Sequence, residues 1–353
     1  MEKVKFDPRE MEALGTLRPM LPGGTAMPKL NTPVSSKENF LAWAKGEGAL
    51  WMPHTLENQM FWPAVVPDNI ARAQVTDPLY TDPSLYGGKD MFGVEWQFEP
   101  QARGSMPKGA PLVPDIDEWE SYVTFPDIDS WDWQGCADRT ASMREEGRII
   151  QVSQFNGLFE RLISFCGMTD ALIALVDEDC QEAVHRLFDQ LCDLYDRLFA
   201  KYKQYFNADM VWFHDDWGSQ RGPLISPDTV EEMLMPYLKR VADSAHKHGL
   251  LLNFHSCGKI EDLVPYMIEA GVDLWNGQDV NDMDLVLEKY GDRIKVAVSP
   301  QVRPGASPEE VEETVRKYVD TYAKTGCYIA RSPQTTPEEF KLLYEYGRKA
   351  YCG

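Results

Sequence analysis

Residues 250–278 read LLLNFHSCGKIEDLVPYMIEAGVDLWNGQ and contain the repeating unit of the fold. An apolar run at 250–255 is followed by a short amphipathic stretch, a break at Gly271 and a second apolar run at 272–276. Apolar runs of this length are typical of buried strands, and glycine commonly ends the helix between them. The segment therefore predicts a strand, a helix and a second strand parallel to the first.

The same rhythm extends over the last two thirds of the chain. A long amphipathic helix is predicted over 180–205, and Ser226-Pro227, Ser307-Pro308 and Thr336-Pro337 are typical helix starts. Four further strands are predicted at RIIQVS (148–153), DMVWFH (209–214), IKVAVS (294–299) and CYIAR (327–331). Six strands alternating with helices, with room for two more in the front third, predict an α/β fold of the (β/α)8 TIM barrel class.

A doubly wound dinucleotide fold is disfavoured by the residues after the first of these strands. They read QVSQFNGLF and contain no glycine-rich phosphate loop. The barrel therefore remains the preferred architecture.

The front third of the chain has a different character. The first 133 residues contain 15 of the 24 prolines and 7 of the 10 tryptophans. Proline interrupts both helices and strands. We expect residues 1–353 to form a single barrel domain in which residues 1–145 are an irregular segment. This Pro/Trp-rich segment carries the first strands and covers the barrel mouth. Its aromatic side chains, Trp51, Trp62 and Trp96 among them, either fill the core or line an apolar pocket.

Composition excludes several functional classes. The 353 residues carry a net charge of -21, which disfavours nucleic acid and anionic membrane surfaces as partners. No apolar run is long enough to cross a bilayer. The seven cysteines are odd in number and widely spaced, and the charged start MEKVKFDPRE lacks the apolar run of a signal peptide. We expect a reduced, cytoplasmic protein.

The residues that follow the strands are the candidate site, because TIM barrels carry their active sites at the carboxyl ends of the strands. After the strand at 209–214 we expect Asp216, His214 and Asp215 to be catalytic. Asp215 and Asp216 point to opposite sides of an extended chain, so one of them enters the site directly. The predicted substrate-binding residues are Gln278, Gln301, Trp217 and Asn276, with Gln334 as a further amide at a strand exit.

His255 and Cys257 are candidate metal ligands. Side chains two residues apart on a strand share a face, and imidazole and thiolate together suit zinc. The alternative is a buried cysteine beside a polar histidine. A third ligand is required, and Cys327 or one of the three residues 214–216 are the candidates.

The motifs HDDWGSQRGPLISP (214–227), NFHSCGKIEDLVPYMIEAGVDLWNGQ (253–278) and VAVSPQ (296–301) resemble the uroporphyrinogen decarboxylase superfamily, most closely its corrinoid-dependent methyltransferase branch. The resemblance covers roughly residues 145–350. It implies a (β/α)8 barrel that acts with a partner protein carrying a corrinoid (cobalamin). In thiol-methylating members a His-x-Cys pair and a later Cys hold zinc. His255 and Cys257 match the pair, whereas the later position corresponds to Ser332–Thr335, which contains no cysteine, and Cys327 lies earlier, at the start of its strand.

The decarboxylase itself is disfavoured, because its polycarboxylate substrate requires an arginine-rich amino-terminal motif and residues 1–100 contain only Arg9, Arg18 and Arg72. The preferred function is an O-demethylase of the methyltransferase I type, which transfers methyl from a small aryl methyl ether to the cob(I)amide of a corrinoid protein. Transfer from methylcobamide to a zinc-activated thiol or another acceptor is the alternative. A decarboxylase-like lyase and a non-catalytic barrel are further alternatives.

Overall fold

The computed structural model describes residues 1–19, 24–99, 104–330, 332 and 335–352. The predicted strand-exit amide Gln334 lies outside these ranges. The strands are β1 Ala13–Leu17, β2 Met27–Leu30, β3 Gln59–Phe61, β4 Gly88–Lys89, β5 Glu95–Glu99, β6 Gly104–Pro107, β7 Ile150–Gln154, β8 Met210–His214, β9 Gly218–Ser219, β10 Gly222–Pro223, β11 Leu251–His255, β12 Leu274–Asn276, β13 Lys295–Val298 and β14 Cys327–Ile329.

The α-helices alternate with the later strands. They are α1 Ser36–Ala44, α2 Pro67–Ala71, α3 Trp133–Arg139, α4 Leu158–Cys166, α5 Met168–Val176, α6 Glu178–Phe206, α7 Pro227–Thr229, α8 Met235–Lys247, α9 Val264–Glu269, α10 Met283–Tyr290, α11 Pro308–Tyr322 and α12 Pro337–Cys352. A π-helical turn at Val230–Leu234 joins α7 to α8.

All six strands predicted from the apolar runs are confirmed, as β7, β8 and β11 to β14. The helix predicted over 180–205 is α6, which is slightly longer at each end. The side chains of Ser226, Ser307 and Thr336 accept hydrogen bonds from backbone N–H groups at the starts of α7, α11 and α12. These local signals were reliable because each depends on a few neighbouring residues.

The chain divides into two compact units. The first contains residues 1–59, 145–149 and 273–353. In it β12, β13 and β14 pair in parallel in chain order, and β1 pairs with β2 in an antiparallel hairpin. A single parallel bridge joins His54 to Ile329 of β14. The core of this unit includes Leu30, Trp51 and Phe340.

The second unit contains residues 60–144 and 150–272. Here β7, β8 and β11 pair in parallel, again in chain order, and β3 is next to β7 in the sheet. One face of these strands packs on α6, where the rings of Phe213 and Tyr195 lie 5.5 Å apart. β4, β5 and β6 form a separate antiparallel sheet.

In both units the spatial order of the parallel strands follows the chain and helices separate them, which is the TIM-barrel arrangement. The predicted fold class is confirmed. Two further barrel strands were expected in the front third. One of them is β3, which lies beside β7. At the position of the other, the described residues form only the single bridge between His54 and Ile329. Trp51, Trp62 and Trp96 are buried.

A buried ion network fixes part of the front third to α4 within the second unit. Arg161 of α4 is 1% exposed and pairs with Asp68 and Asp90. Its guanidinium also lies 4.7 Å from the ring of Phe92. An arginine held by two carboxylates that contact no water is strongly stabilised against leaving the interior. None of the described helices has the length and hydrophobicity that a bilayer crossing requires.

Candidate active site

Two histidines meet at the carboxyl ends of neighbouring strands. His214 ends β8 and His255 ends β11, and the two residues are paired in register. Because paired residues of parallel strands project from the same face, their imidazole rings lie side by side, with centroids 4.7 Å apart. The predicted convergence of these strand ends is present in the second unit.

Asp216 and Cys257 complete this group. One donor atom each from His214, Asp216 and His255 lie within 4.8 Å of one another, and the Sγ of Cys257 is 3.7 Å from the Nε2 of His255. The backbone N–H of Cys257 donates to the Oδ1 of Asp216 at 2.7 Å. We call these four residues the donor cluster. Burial, together with the charge of Asp216, raises the pKa of the Cys257 thiol.

The loops that carry these side chains are in close backbone contact. A Cβ built on Gly258 meets the backbone carbon of Gly218 at 2.3 Å, and Gly258 has a φ of +90°. Only glycine satisfies both the left-handed backbone and the close approach. The pair therefore fixes the spacing between the loop of Asp216 and the loop of Cys257.

Glu160 orients His214. It lies in the first turn of α4, and its Oε2 is 2.6 Å from the Nδ1 of His214. Burial alone would raise the pKa of Glu160, but the charges of His214 and Arg72 outweigh it and lower the pKa to about 2. Burial alone would lower the pKa of His214, and the charge of Glu160 raises it instead. With Nδ1 held by a carboxylate, the Nε2 of His214 is the nitrogen that remains for a ligand.

Arg72, which directly follows α2, brings a cation from the front third to this side of the site. Its guanidinium donates to the Oδ1 of Asn156 at 2.6 Å and lies 3.5 Å from Glu160. It also lies over the rings of Trp96 and Phe155, at 4.9 and 5.2 Å from their centroids. The part of the front third in the second unit thus contributes a residue that contacts the site, and its covering of the barrel mouth stays a prediction.

Aromatic rings surround the two imidazoles. The ring of Trp212 lies 5.6 Å from that of His214 and 4.9 Å from that of His255. Phe155 lies 5.5 Å from His214. These flat apolar surfaces beside ionisable groups are suited to an aromatic ligand with a polar substituent.

Asp215 and Trp217 lie behind the donor cluster in buried, hydrogen-bonded positions, and their roles in catalysis and substrate binding stay predictions. Neither side chain is exposed. Asp215 accepts hydrogen bonds from the backbone N–H groups of Phe159 and Glu160 and from the Nε1 of Trp217. Burial raises the pKa of Asp215 to about 7. The acidic pair separates as strand alternation predicts: Asp216 enters the cluster, and Asp215 caps the helix that carries Glu160.

A model of the family described as uroporphyrinogen decarboxylase (URO-D) matches residues 166–349, just over half of the chain. The chain belongs to the uroporphyrinogen decarboxylase family. All four residues of the donor cluster lie inside the matched range, whereas Glu160 and Arg72 precede it. No curated protein sequence matches the chain.

Among solved structures, this URO-D family member is similar to a methyltransferase from Methanosarcina mazei. The TM-score is 0.63 at 16% identity, covering 90% of this chain and 99% of that one. The Old Yellow Enzyme from Pichia sp. AKU4542 matches 61% of this chain and 66% of its own, at 12% identity and a TM-score of 0.37. The first likeness supports the TIM-barrel-like fold.

The remaining predicted site residues lie in the first unit. Cys327, predicted as a metal ligand, is buried with its Sγ 3.4 Å from the hydroxyl of Tyr318, and burial raises its pKa to about 12. It is not a member of the donor cluster, in which His214 and Asp216 take the place expected for a further ligand. The amides of Asn276 and Gln301 donate within the first unit to Tyr328 and to the carbonyl of Ser299. Gln278, whose carbonyl accepts from the amide of Asn281, is also in this unit. For these three residues a role in substrate binding stays a prediction.

The sequence interpretation missed Glu160 and gave Arg72 no role in the site. Glu160 lies six residues beyond β7, at the same end of the sheet as the donor cluster. An acid in the first turn after a barrel strand is a usable signal. Arg72 comes from an irregular segment without periodicity, and nothing in its local sequence indicates where its side chain lies.

Proposed function

We propose that this chain is a methyltransferase that removes the methyl group of an aryl methyl ether and transfers it to cob(I)amide on a partner corrinoid protein. The observation that carries the proposal is the donor cluster of His214, Asp216, His255 and Cys257, flanked by the rings of Phe155 and Trp212. It combines charge-neutralising groups with walls suited to an arene. The free state of all seven cysteines supports a reducing, cytoplasmic setting.

The donor set fits zinc. Two imidazoles and a carboxylate, whose donor atoms lie within 4.8 Å of one another, are ligands that zinc accepts, and the Sγ of Cys257, 3.7 Å from His255 Nε2, would be the fourth ligand. A carboxylate on the second nitrogen of a ligand histidine, as Glu160 is on His214, is the usual support for such a site. When bound, zinc supplies a Lewis acid that neutralises the charge developing on the ether oxygen.

Residues of the chain itself bind the substrate, exclude water and position the protons. Phe155 and Trp212 bind the arene and exclude water from the reacting carbon. Glu160 holds the proton of His214 at Nδ1 and fixes the ring plane, while Arg72 keeps Glu160 ionised. In a chain that lacks metal, His214 or Asp216 is the group placed to donate a proton to the departing aryloxide, which is otherwise a poor leaving group.

The charges near the site disfavour a polycarboxylate substrate. Arg72 already pairs with Glu160 and Asn156, and Arg9 is an exposed partner of Asp7. Arg72 is therefore not available to pair with a substrate carboxylate unless its contacts with Glu160 and Asn156 are broken. This argues against the decarboxylation for which the family is named.

Methyl transfer from methylcobamide to a thiol is the second candidate. The short distance from His255 to Cys257 favours it, because a sulfur-containing metal site can activate an incoming thiol as the thiolate. The presence of His214 and Asp216, and the aromatic walls, favour the ether.

The test is a methyl-transfer assay with a reduced corrinoid protein and a panel of methoxylated phenols. We expect methylcorrinoid to form with at least one ether, and to fail to form with a His255→Ala plus Cys257→Ala variant. Transfer from methylcobalamin to a thiol, without demethylation of any ether, would reverse the ranking. Inactivity in both directions would favour a lyase or a non-catalytic barrel.

A further inference from the structure

One helix of the second unit is apolar on almost every side but is covered on only one. α5 has the sequence MTDALIALV, its neighbours are α4 and α6, and it buries Ala171, Ala174 and Leu175. The opposite side carries four apolar residues at the i, i+4, i+5 and i+8 spacing of a single helix face. These residues, which we call the α5 face, are Met168, Leu172, Ile173 and Val176.

The α5 face is exposed. Met168, Ile173 and Val176 are 46%, 49% and 64% exposed, and Leu172 is partly exposed. A helix that is apolar all round is normally buried all round, and adjoining exposed apolar side chains mark interaction surfaces. The α5 face is therefore a surface that another molecule covers.

α6 extends past the carboxyl ends of the strands. Just after α6 ends, the N–H of Asp209 donates to the carbonyl of Ile150, the first residue of β7. Further back along the helix, the hydroxyl of Tyr195 donates at 2.9 Å to the carbonyl of Asn156, two residues past the end of β7. The 17 residues of α6 before Tyr195 therefore add about 25 Å of helix on the side of the strands where the donor cluster lies.

α5 is attached to this projecting part of α6. The amide of Gln181 donates to the carbonyl of Leu175 at 3.1 Å. α4 leads to α5 directly from the donor cluster, since Glu160 in its first turn contacts His214. A protein that brings a reacting group to the donor cluster approaches from the side on which α5 lies.

The border of the α5 face is acidic. Residues 162–184 contain five acidic residues and no lysine or arginine. Asp170 on α5 and Asp177, Glu178 and Asp179 at the start of α6 are all exposed. An occupant with basic side chains around its own apolar patch complements this border. A second copy of this chain, with its net charge of -21, would place acids against acids.

The size of the α5 face limits the kind of complex that it can form. Nine residues of helix span about 14 Å, and four side chains supply much less than the roughly 800 Å² per partner that a stable interface buries. A transient contact matches this size. Such a contact is what a carrier needs if it is to deliver a group and then leave.

We propose that the α5 face is the docking surface for the corrinoid carrier of the proposed reaction, and that the carrier meets it with an apolar patch bordered by lysine or arginine. This inference rests on the proposed function, because it names the surface through which that partner binds. The opposite charges steer the encounter, and burial of the apolar side chains holds the complex.

The test compares methyl transfer to a reduced corrinoid protein with transfer to free cob(I)alamin, which has no protein part to dock. Ile173→Gln plus Val176→Gln makes the α5 face polar without a change of charge, and glutamine is a good helix former at exposed positions. We expect the KM for the corrinoid protein to rise at least about tenfold. The rate with free cob(I)alamin should be unchanged.

A matched control is Leu14→Gln plus Leu285→Gln. Both leucines are exposed but belong to the first unit, so this variant should keep the wild-type KM.

Asp177→Asn plus Asp179→Asn tests the acidic border. Asparagine caps a helix as well as aspartate does, so the start of α6 should be retained. For wild type the KM for the corrinoid protein should rise with salt, and this variant should weaken that dependence. A wild-type KM independent of salt would overturn the proposed basic border of the carrier.

Sedimentation velocity measures binding of the corrinoid protein without a methyl donor and reports self-association of the chain. A wild-type KM in the α5 variant or absence of binding would overturn the inference. So would a dimer of the wild-type chain that the α5 variant abolishes, which would assign the face to a second copy. Binding that the variant abolishes, without methyl transfer, would refute the proposed reaction and retain the docking surface. Transfer with a KM that the variant leaves unchanged would do the opposite.

Discussion

The adjacent acids Asp215 and Asp216 are expected to respond in opposite ways to the same substitution. Asp216→Asn retains an oxygen that can accept the N–H of Cys257, now 2.7 Å from Oδ1, and replaces the other oxygen by an amide nitrogen that does not bind metal. Since this backbone hydrogen bond survives and the side chain is partly exposed, the loss of stability should stay below about 1 kcal/mol. The affinity for zinc and the rate of methyl transfer should each fall at least about tenfold.

Asp215→Asn should do the reverse. Both carboxylate oxygens of Asp215 accept N–H groups, at 2.8 Å from Glu160 and at 3.2 and 2.9 Å from Phe159 and Trp217. An asparagine directs its own N–H₂ at one of these donors and leaves at least one buried N–H unpaired. That loss, with the weakened start of α4, costs about 2–4 kcal/mol. For 353 residues the unfolding midpoint then falls by about 3–5 °C.

The assay combines thermal unfolding of both variants with zinc affinity, measured by competition against a chromophoric chelator. Each variant is the control for the other, because the two make the same change in composition at adjacent positions. The reasoning is refuted if Asp216→Asn lowers the midpoint as much as Asp215→Asn while it keeps wild-type zinc affinity.

Three further substitutions test the electrostatics. Glu160→Gln should weaken zinc binding about 10–100-fold, because a neutral amide no longer holds His214 as a carboxylate does; wild-type affinity in this variant, by chelator competition, would exclude the orienting role. Arg161→Met should cost about 3–5 kcal/mol by leaving two buried carboxylates unpaired, whereas Arg197→Gln, at an exposed pair, should cost less than about 1 kcal/mol in the same unfolding experiment. Burial raises the pKa of Glu57 to about 7, above its ordinary value of 4.5, so its contribution is fully favourable below pH 4.5 and is lost as the pH rises through 7. Wild type should therefore lose about 3 kcal/mol between pH 4.5 and 8 that Glu57→Gln does not lose, and parallel stability curves would contradict this.

The sequence predicted what depends on local pattern. Apolar runs and serine-proline helix starts gave the six later strands and their helices, and alternation separated Asp215 from Asp216. The pairing of His214 with His255 followed from both residues ending strands. These features require only neighbouring residues or the common direction of parallel strands.

The remaining parts of the site depend on tertiary packing. Glu160 contacts His214 across 54 positions of sequence, and Arg72 contacts Asn156 across 84. Trp217 follows a strand end, as a substrate-binding residue would, but its ring packs at 4.8 Å against Phe254 and its N–H is held by Asp215. The hydrophobic periodicity of the sequence does not predict contacts between residues so far apart in the chain.

The most direct test of the donor cluster is the metal content of the purified chain, compared with that of the His255→Ala plus Cys257→Ala variant. We predict about one zinc per wild-type chain and less than about a tenth of that in the variant, because the substitutions remove His255, one of the three converging donors, together with the neighbouring thiol. Equal zinc in the two proteins would show that the metal, if any, lies elsewhere, and would contradict the central claim.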